Sequence, residues 1–131
     1  MAILIKNIRV IDPASKTDKV KDIYIEGSKI VSKPSKEPET VIDGKNKIAV
    51  PGLIDVHSHL RDPGQEEKET IKTGTRSACK GGITTVLCMP NTKPVTDNAP
   101  SVEYILLKAQ KEGKVNVLPI GCITKGSLGT E

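Results

Sequence analysis

Aromatic residues are almost absent from this sequence. It contains no tryptophan and no phenylalanine, and only 2% of its residues are aromatic. A surface that binds nucleic acid by base stacking needs aromatic side chains beside its basic ones. The net charge of +4 is therefore interpreted as a solvated surface and not as a nucleic-acid site. Isoleucine, valine and leucine must supply nearly all of the core.

Long apolar segments are missing as well. Lys6 and Arg9 interrupt the amino-terminal apolar residues too early for the core of a signal peptide. No uninterrupted apolar run approaches the ~20 residues of a membrane helix. The three cysteines, Cys79, Cys88 and Cys122, form no Cys-x-x-Cys pair, and an odd number without a secretory signal favours reduced thiols. These absences predict a soluble, cytoplasmic protein that has no membrane contact.

Residues 1–50 predict a small β unit. The apolar alternation that includes Ile3 and Ile5 is close to the period of two of a half-buried strand. Residues 22–31 indicate a hairpin, and residues 40–50 indicate two more short strands.

The remaining residues predict alternating strands and helices. The elements are a strand over 53–59, a helix over 68–80, a strand over 83–89, a helix from the Asn98 cap to Gly113, and a strand over 115–124. Apolar strands in this order are typical of a parallel sheet that is buried on both faces and joined by right-handed crossovers. Doubly wound sheets and (β/α)8 barrels both begin this way, and both place functional loops at the carboxyl ends of the strands.

The only two histidines, His57 and His59, come at the end of the first of these strands, in the segment DVHSHLRDPG. Side chains two residues apart in a strand point to the same side, roughly 6–7 Å apart along the chain. Two imidazoles at that spacing can reach one metal ion at ~2.0–2.1 Å. Two surface histidines are the alternative for a bare His-x-His, but the carboxyl end of a buried strand favours a metal site.

Arg61 and Asn91 are candidates for contacts with a substrate. Arg61 lies in the loop after the histidines, and its planar guanidinium suits a bidentate grip on a carboxylate. The alternative is a surface arginine paired with Asp62 or Glu66. Asn91 follows the second strand and offers an amide from a neighbouring loop, and an Asx turn is its alternative.

Other polar residues are given smaller roles. Thr124 and Lys125 follow the third strand and are interpreted first as turn residues. Asp55 lies one step deeper than the histidines and is expected to be buried and hydrogen-bonded, not a ligand. The paired glycines Gly81 and Gly82 match a helix end and not a phosphate-binding loop.

The compound motif H-x-H-x-R-D-P-G followed by M-P-N-T resembles a known family. Residues 51–98 closely resemble the amidohydrolase superfamily and, within it, the class I dihydroorotases. Residues 117–126 are similar to the third barrel strand of that family, and residues 1–50 to part of its small β-sandwich. The resemblance implies an α/β fold in which residues 51–131 form the first βαβαβ portion of a (β/α)8 (TIM) barrel, flanked by the amino-terminal part of a β-sandwich.

The resemblance also implies a reaction and its residues. The family interconverts N-carbamoyl-L-aspartate and L-dihydroorotate in pyrimidine synthesis, and it depends on zinc, with one or two ions. His57 and His59 are then zinc ligands, and Arg61 and Asn91 hold the carboxylate of the substrate. Zinc activates the attacking water and polarises the ring carbonyl.

The sequence departs from the family pattern in what it lacks. The family's bridging carboxylate or carboxylated lysine, its further histidines and the aspartate that moves the proton have no counterpart up to Glu131, so no catalytic acid or base is assigned. The chain is expected to be an amino-terminal portion that is inactive alone and needs the rest of the chain, or another copy, to cover the edge of its barrel. An aspartate transcarbamoylase partner, as in some members, stays open.

Two alternatives to a dihydroorotase are kept. Hydantoinase-like and allantoinase-like enzymes share the His-x-His, but the pairing of Arg61 with Asn91 disfavours them. A non-catalytic barrel relative that acts as an assembly module is the other alternative. Such relatives usually lose metal ligands, whereas His57 and His59 are both present.

Overall fold

The computed structural model describes residues 1–130, which form two compact units, one from Met1 to Pro51 and one from Gly52 onward. Glu131, the last residue of the second predicted domain, lies outside them. The strands of the first unit are β1 (Ala2–Asp12), β2 (Thr17–Glu26), β3 (Lys29–Val31), β4 (Thr40–Asp43) and β5 (Ile48–Ala49). The second unit contains β6 (Leu53–Ser58), α1 (Ile71–Lys80), β7 (Ile83–Cys88), α2 (Ala99–Glu112), β8 (Asn116–Pro119) and a 3₁₀ turn (Lys125–Ser127).

The first unit is a five-stranded sheet built around β1. Strand β1 pairs antiparallel with β2 and parallel with β4 and β5, and β2 pairs antiparallel with β3. The predicted hairpin and the two short strands after it are therefore confirmed.

A bulge interrupts the alternation of side chains along β1. Asn7 has a φ of 56°, and the pairing with β2 gains one residue between Ile5 and Ile8. The extra residue keeps Ile3, Ile5 and Ile8 on one face. Near the amino end, Ala2 and Leu4 on the other face are buried, and Ile3 and Ile5 are half-buried. The predicted strand is therefore confirmed, and both of its faces are at least partly covered there.

Helix α1 begins three residues later than the sequence predicts. Thr70 is its N-cap, since its hydroxyl accepts a hydrogen bond from Thr73 N at 3.1 Å while Thr73 Oγ1 accepts one from Thr70 N at 3.1 Å. This reciprocal capping box fixes the first turn. The predicted end at Gly81 is confirmed, with Gly82 at a φ of 84°.

Helix α2 follows the prediction closely. The Asn98 side chain accepts a hydrogen bond from Ser101 N at 3.0 Å, and Pro100 occupies the first turn. Ile105 is fully buried, but Leu106 is 45% exposed. The apolar spacing of Ile105, Leu106 and Ala109 predicts that all three share the buried face. This is wrong for Leu106, which lies about 100° around the helix from Ile105, on its flank.

The second unit has a three-stranded parallel sheet in the order β6–β7–β8. Its core contains Leu60, Ile71, Val86, Cys88, Ile105 and Val117. The predicted burial of both sheet faces is wrong for residues 1–130, because the two helices cover one face. Ile54, Val56 and Leu118 remain more than half exposed.

The third strand is shorter than predicted. Strand β8 ends at Pro119, not at residue 124. One further ladder bond runs from Ile120 N to Cys88 O, after which Cys122 N donates to Thr96 O at 2.7 Å. The chain thus leaves the sheet to bond with the loop that follows β7. Within residues 1–130, no helix has the length and apolar character needed to cross a membrane.

Candidate metal and substrate site

The two histidines lie together where β6 ends. His57 is in the strand, and His59 is the first residue after it. Their ring centroids are 5.2 Å apart with an interplanar angle of 61°. Rings this close are neighbours on the same side of the chain, and both residues are exposed. The arrangement leaves two neighbouring imidazoles available to bind one metal ion.

Asp55 shapes the turn that brings the rings together. Its carboxylate accepts hydrogen bonds from His57 N at 3.0 Å and from the Ser58 hydroxyl at 2.6 Å. The Ser58 hydroxyl, and next the His57 amide, hold the pKa of Asp55 below its usual range. The expected hydrogen bonding is observed, but Asp55 is half-buried and not buried, because β6 is an edge strand of this sheet.

Asn91 contacts the second histidine directly. It belongs to the loop after β7, residues 89–98, which we call the asparagine loop, and its Oδ1 lies 2.9 Å from His59 Nδ1. An amide oxygen only accepts hydrogen bonds, so Nδ1 carries the proton and, in the neutral ring, Nε2 keeps a lone pair. The sequence placed Asn91 in a neighbouring loop but did not predict this bond.

Arg61 lies in the connection between β6 and α1, whose first part, residues 59–66, we call the arginine loop. It has a φ of 61° and is half-buried. Neither alternative surface pair is formed, because Asp62 pairs with Lys108 and the Glu66 carboxylate accepts from Gly64 N at 2.9 Å. Within residues 1–130, Arg61 takes part in no ion pair.

The arginine loop and the asparagine loop touch each other. Lys93 N donates to Pro63 O at 2.9 Å, and Gln65 Nε2 donates to Asn91 O at 3.2 Å. Gly64, at a φ of 90°, lies so close to the asparagine loop that a Cβ there would be 1.9 Å from Lys93 O. The backbones that carry Arg61 and Asn91 are thus held in mutual contact.

A third loop supports the asparagine loop. Gly126 N donates to Asp97 Oδ2 at 2.7 Å. Thr124 precedes the 3₁₀ turn, and its hydroxyl accepts from Gly129 N at 3.0 Å. Thr124 and Lys125 are therefore turn residues in this structure, as the sequence indicated first.

Two histidines supply part of a zinc site. A catalytic zinc ion has three protein ligands and one open position, and residues 1–130 contain no cluster of three or more His, Cys, Asp or Glu side chains suited to a metal. No cysteine among these residues joins the two histidines in such a cluster. Burial also raises the pKa of the Cys88 thiol, which disfavours the thiolate that binds a metal. The donor set fits zinc if further ligands come from elsewhere.

The residue that sequence reasoning missed is Asp62. It is fully buried and forms an ion pair with Lys108 on α2, although the sequence suggested only a partner for Arg61. The two residues are 46 positions apart, and no local pattern joins them. The sequence shows only that Tyr104 and Lys108 lie one turn apart on α2, and it does not indicate which acidic residue they contact.

Sequence comparison identifies relatives of this chain. The family model described as Dihydro-orotase-like matches residues 46–131. The chain is 67% identical over 131 residues to a dihydroorotase of Endomicrobium trichonymphae, and 50% identical over 137 residues to a dihydroorotase of Solibacter usitatus. Each match covers 100% of this chain and 31% of the relative. The chain thus spans about a third of the length of these proteins.

A solved structure shares the fold. The L-hydantoinase (dihydropyrimidinase) from Arthrobacter aurescens superimposes with a TM-score of 0.77 at 27% sequence identity. The match covers 91% of this chain and 27% of that one. The mixed α/β arrangement described above is therefore that of an amidohydrolase.

Proposed function

The chain belongs to the dihydro-orotase-like family, and from that premise we propose that the protein, at the length of its relatives, is a zinc-dependent cyclic amide hydrolase. The proposed reaction is the reversible conversion of N-carbamoyl-L-aspartate to L-dihydroorotate in pyrimidine synthesis. The observation that carries the proposal is the neighbouring pair His57 and His59, beside the loop that bears Arg61, with His59 hydrogen-bonded to Asn91.

The proposed architecture is a (β/α)8 barrel with a flanking β-sandwich. Residues 51–131 would be the first βαβαβ portion of the barrel, and residues 1–50 the amino-terminal part of the sandwich. The exposed apolar side chains of the sheet support this arrangement. Leu118 pairs with Leu87 on the face away from the helices, where the interior of a barrel would lie. The rest of the protein, or another copy, would cover this face and the strand edges.

We propose that His57 and His59 hold the zinc. The bond from His59 Nδ1–H to Asn91 favours the tautomer in which Nε2 keeps a lone pair for a metal, a role that such second contacts commonly have. The remaining ligands, and the group that moves the proton, would come from the part of the relatives that this chain does not span. Bound zinc would supply Lewis acidity and an activated water.

Arg61 and Asn91 are proposed to bind the substrate's carboxylate. Because Asn91 Oδ1 is engaged by His59, its Nδ2 group keeps two donors for a ligand. The Arg61 guanidinium has no carboxylate partner within residues 1–130, so its planar fork is available for bidentate binding. One loop thus contributes a charge and the other a neutral donor.

A hydantoinase-like activity is the second candidate. The fold similarity to an L-hydantoinase favours it, while 67% identity to a dihydroorotase favours the first candidate. The two differ in the substrate, since only dihydroorotate carries the ring carboxylate that Arg61 and Asn91 would bind.

A substrate panel separates the candidates. The protein at its relatives' length is assayed with L-dihydroorotate, hydantoin, dihydrouracil and allantoin, and its zinc content is measured. We expect hydrolysis of dihydroorotate alone, and its loss in His57→Ala. Turnover of hydantoin without turnover of dihydroorotate would favour the second candidate. A metal-free protein that turns over none of the four would indicate an assembly module.

The cytoplasm is the proposed location. Its support is that all three cysteines are unpaired, as is usual in reducing compartments. An aspartate transcarbamoylase partner remains a prediction, and co-elution of the two purified proteins tests it.

A further inference from the structure

Asp62 is a buried carboxylate in the middle of the arginine loop. Its side chain is 0% exposed, and no other charged residue among residues 1–130 is fully buried. Removing a carboxylate from water is unfavourable unless a cation and hydrogen-bond donors surround it. The groups around Asp62 therefore determine whether the loop can take this path.

Two helices supply the partners of Asp62. Lys108 Nζ, on α2, lies 2.8 Å from Oδ2 and 2.9 Å from Oδ1, and Tyr104 Oη donates to Oδ1 at 3.4 Å. The amide of Ile71, the first residue of α1, donates to Oδ2 at 3.3 Å. The hydrogen bond to Asp62 raises the pKa of Lys108, and the Lys108 side chain is only 23% exposed. One carboxylate thus joins the loop to both helices.

This anchor lies next to Arg61. The φ of 61° at Arg61 is one that residues other than glycine rarely adopt, so the surroundings must hold the loop in this shape. Asp62 follows directly, and Arg61 O accepts from Gln65 N at 3.0 Å. The next residue, Pro63, accepts from Lys93 N. A displacement of Asp62 would therefore also displace the backbone of the arginine loop and, through Pro63 and Lys93, that of the asparagine loop.

We propose that Asp62 and Lys108 are positioning residues. Their ion pair fixes the arginine loop against α1 and α2, and so places Arg61 and, through the contact between the loops, Asn91. The inference rests on the proposed function for what Arg61 and Asn91 bind. Neither Asp62 nor Lys108 touches the substrate, so loss of the pair weakens substrate binding and leaves the zinc in place.

The test compares Lys108→Met with Lys111→Met in the protein at its relatives' length. Lys111 lies on the exposed last turn of the same helix and is the matched control. Amide hydrogen exchange reports on loop order without reference to activity. In Lys108→Met we expect the amides of residues 61–66 to exchange at least roughly tenfold faster, with β7 unchanged. KM for dihydroorotate should rise more than kcat falls, at wild-type zinc content.

Two further variants guard against simple misfolding. Asp62→Asn keeps an acceptor for the Ile71 amide and removes the charge, so it should also loosen residues 61–66. Lys108→Arg keeps a cation and should stay close to the wild type. Unchanged loop exchange in both Lys108→Met and Asp62→Asn, or an equal increase across the whole unit, would overturn the proposal. Faster loop exchange in a protein whose wild type ignores dihydroorotate would reject the proposed function and leave the positioning role supported.

Discussion

Asn91 is the residue at which metal binding and substrate binding meet. Its oxygen is 2.9 Å from His59 Nδ1, while its NH₂ group is left for a ligand. A single side chain therefore has two separable roles. Substitutions that keep one role and remove the other can distinguish them.

Replacement of Asn91 by aspartate and by alanine should have different effects. Asn91→Asp keeps an acceptor for His59 but places a negative charge where the substrate's carboxylate binds. We expect wild-type zinc affinity and at least about a tenfold lower kcat/KM. Asn91→Ala removes the acceptor, and zinc affinity should fall about 10- to 100-fold. Chelator competition and steady-state kinetics measure the two effects. Equal zinc affinity in both variants would argue against the orienting role.

Arg61→Lys should impair substrate handling and leave the metal in place. A lysine keeps the charge but loses the planar fork. The loss of one charge-assisted hydrogen bond costs about 1.5–3 kcal/mol, which is roughly tenfold to a few-hundredfold in kcat/KM. Arg76→Lys, on the exposed face of α1, is the control. Unchanged kinetics would make Arg61 a surface residue, whereas lost zinc would make it a structural support.

At the scale of elements, the contact between the arginine loop and the asparagine loop leaves the least room for an added side-chain atom. Gly64 and Gly82 both have a positive φ, at 90° and 84°. Only Gly64 faces a neighbour, since a Cβ at Gly82 would meet nothing within 4 Å. Substitutions at the two glycines can therefore distinguish the effect of backbone strain from the effect of the contact between the loops.

Gly64→Ala should be far more harmful than Gly82→Ala. In Gly82→Ala we expect about 1–2 kcal/mol of destabilisation from the backbone alone and normal kcat/KM. In Gly64→Ala the loops must move apart, so the loss of stability should be larger and kcat/KM should fall as well. Urea unfolding and kinetics measure both. Equal effects of the two substitutions would show that the contact between the loops is unimportant.

The sequence predicted the elements better than the contacts between them. Asn98 was recognised as a cap because Pro100 follows it, but Thr70 was not, since its capping partner is another threonine. The Asn7 bulge appears in the apolar pattern only as a step of three residues from Ile5 to Ile8, which the sequence alone does not identify as a bulge. In the candidate site, the histidine pair follows from local spacing, and the structure places Asn91 beside it. The Asp62–Lys108 pair joins distant positions, which no local pattern can reveal.

At the scale of the whole molecule, the open face of the β6–β8 sheet distinguishes this chain from a finished domain core. Leu118 is 51% exposed on that face, and Leu107, on the outer side of α2, is 58% exposed. In residues 1–130 the two leucines are therefore about equally exposed. The proposed barrel would bury Leu118 and leave Leu107 exposed.

Leu118→Asp and Leu107→Asp therefore test the barrel. In the protein at its relatives' length, we expect Leu118→Asp to destabilise by at least about 3 kcal/mol, because it buries an unpaired charge. Leu107→Asp should stay within about 0.5 kcal/mol of the wild type. Denaturant unfolding of the two variants measures the difference. Equal stabilities would mean that the open face is not the interior of a barrel.

The dependence of dihydroorotate hydrolysis on zinc tests the central claim most directly. The protein at its relatives' length is stripped of metal, assayed with L-dihydroorotate, and assayed again after zinc is added back, beside His59→Ala. The account predicts no turnover in the stripped protein, recovery with zinc, and no recovery in His59→Ala at the same zinc concentration. Turnover by the stripped protein, or full recovery in His59→Ala, would contradict it.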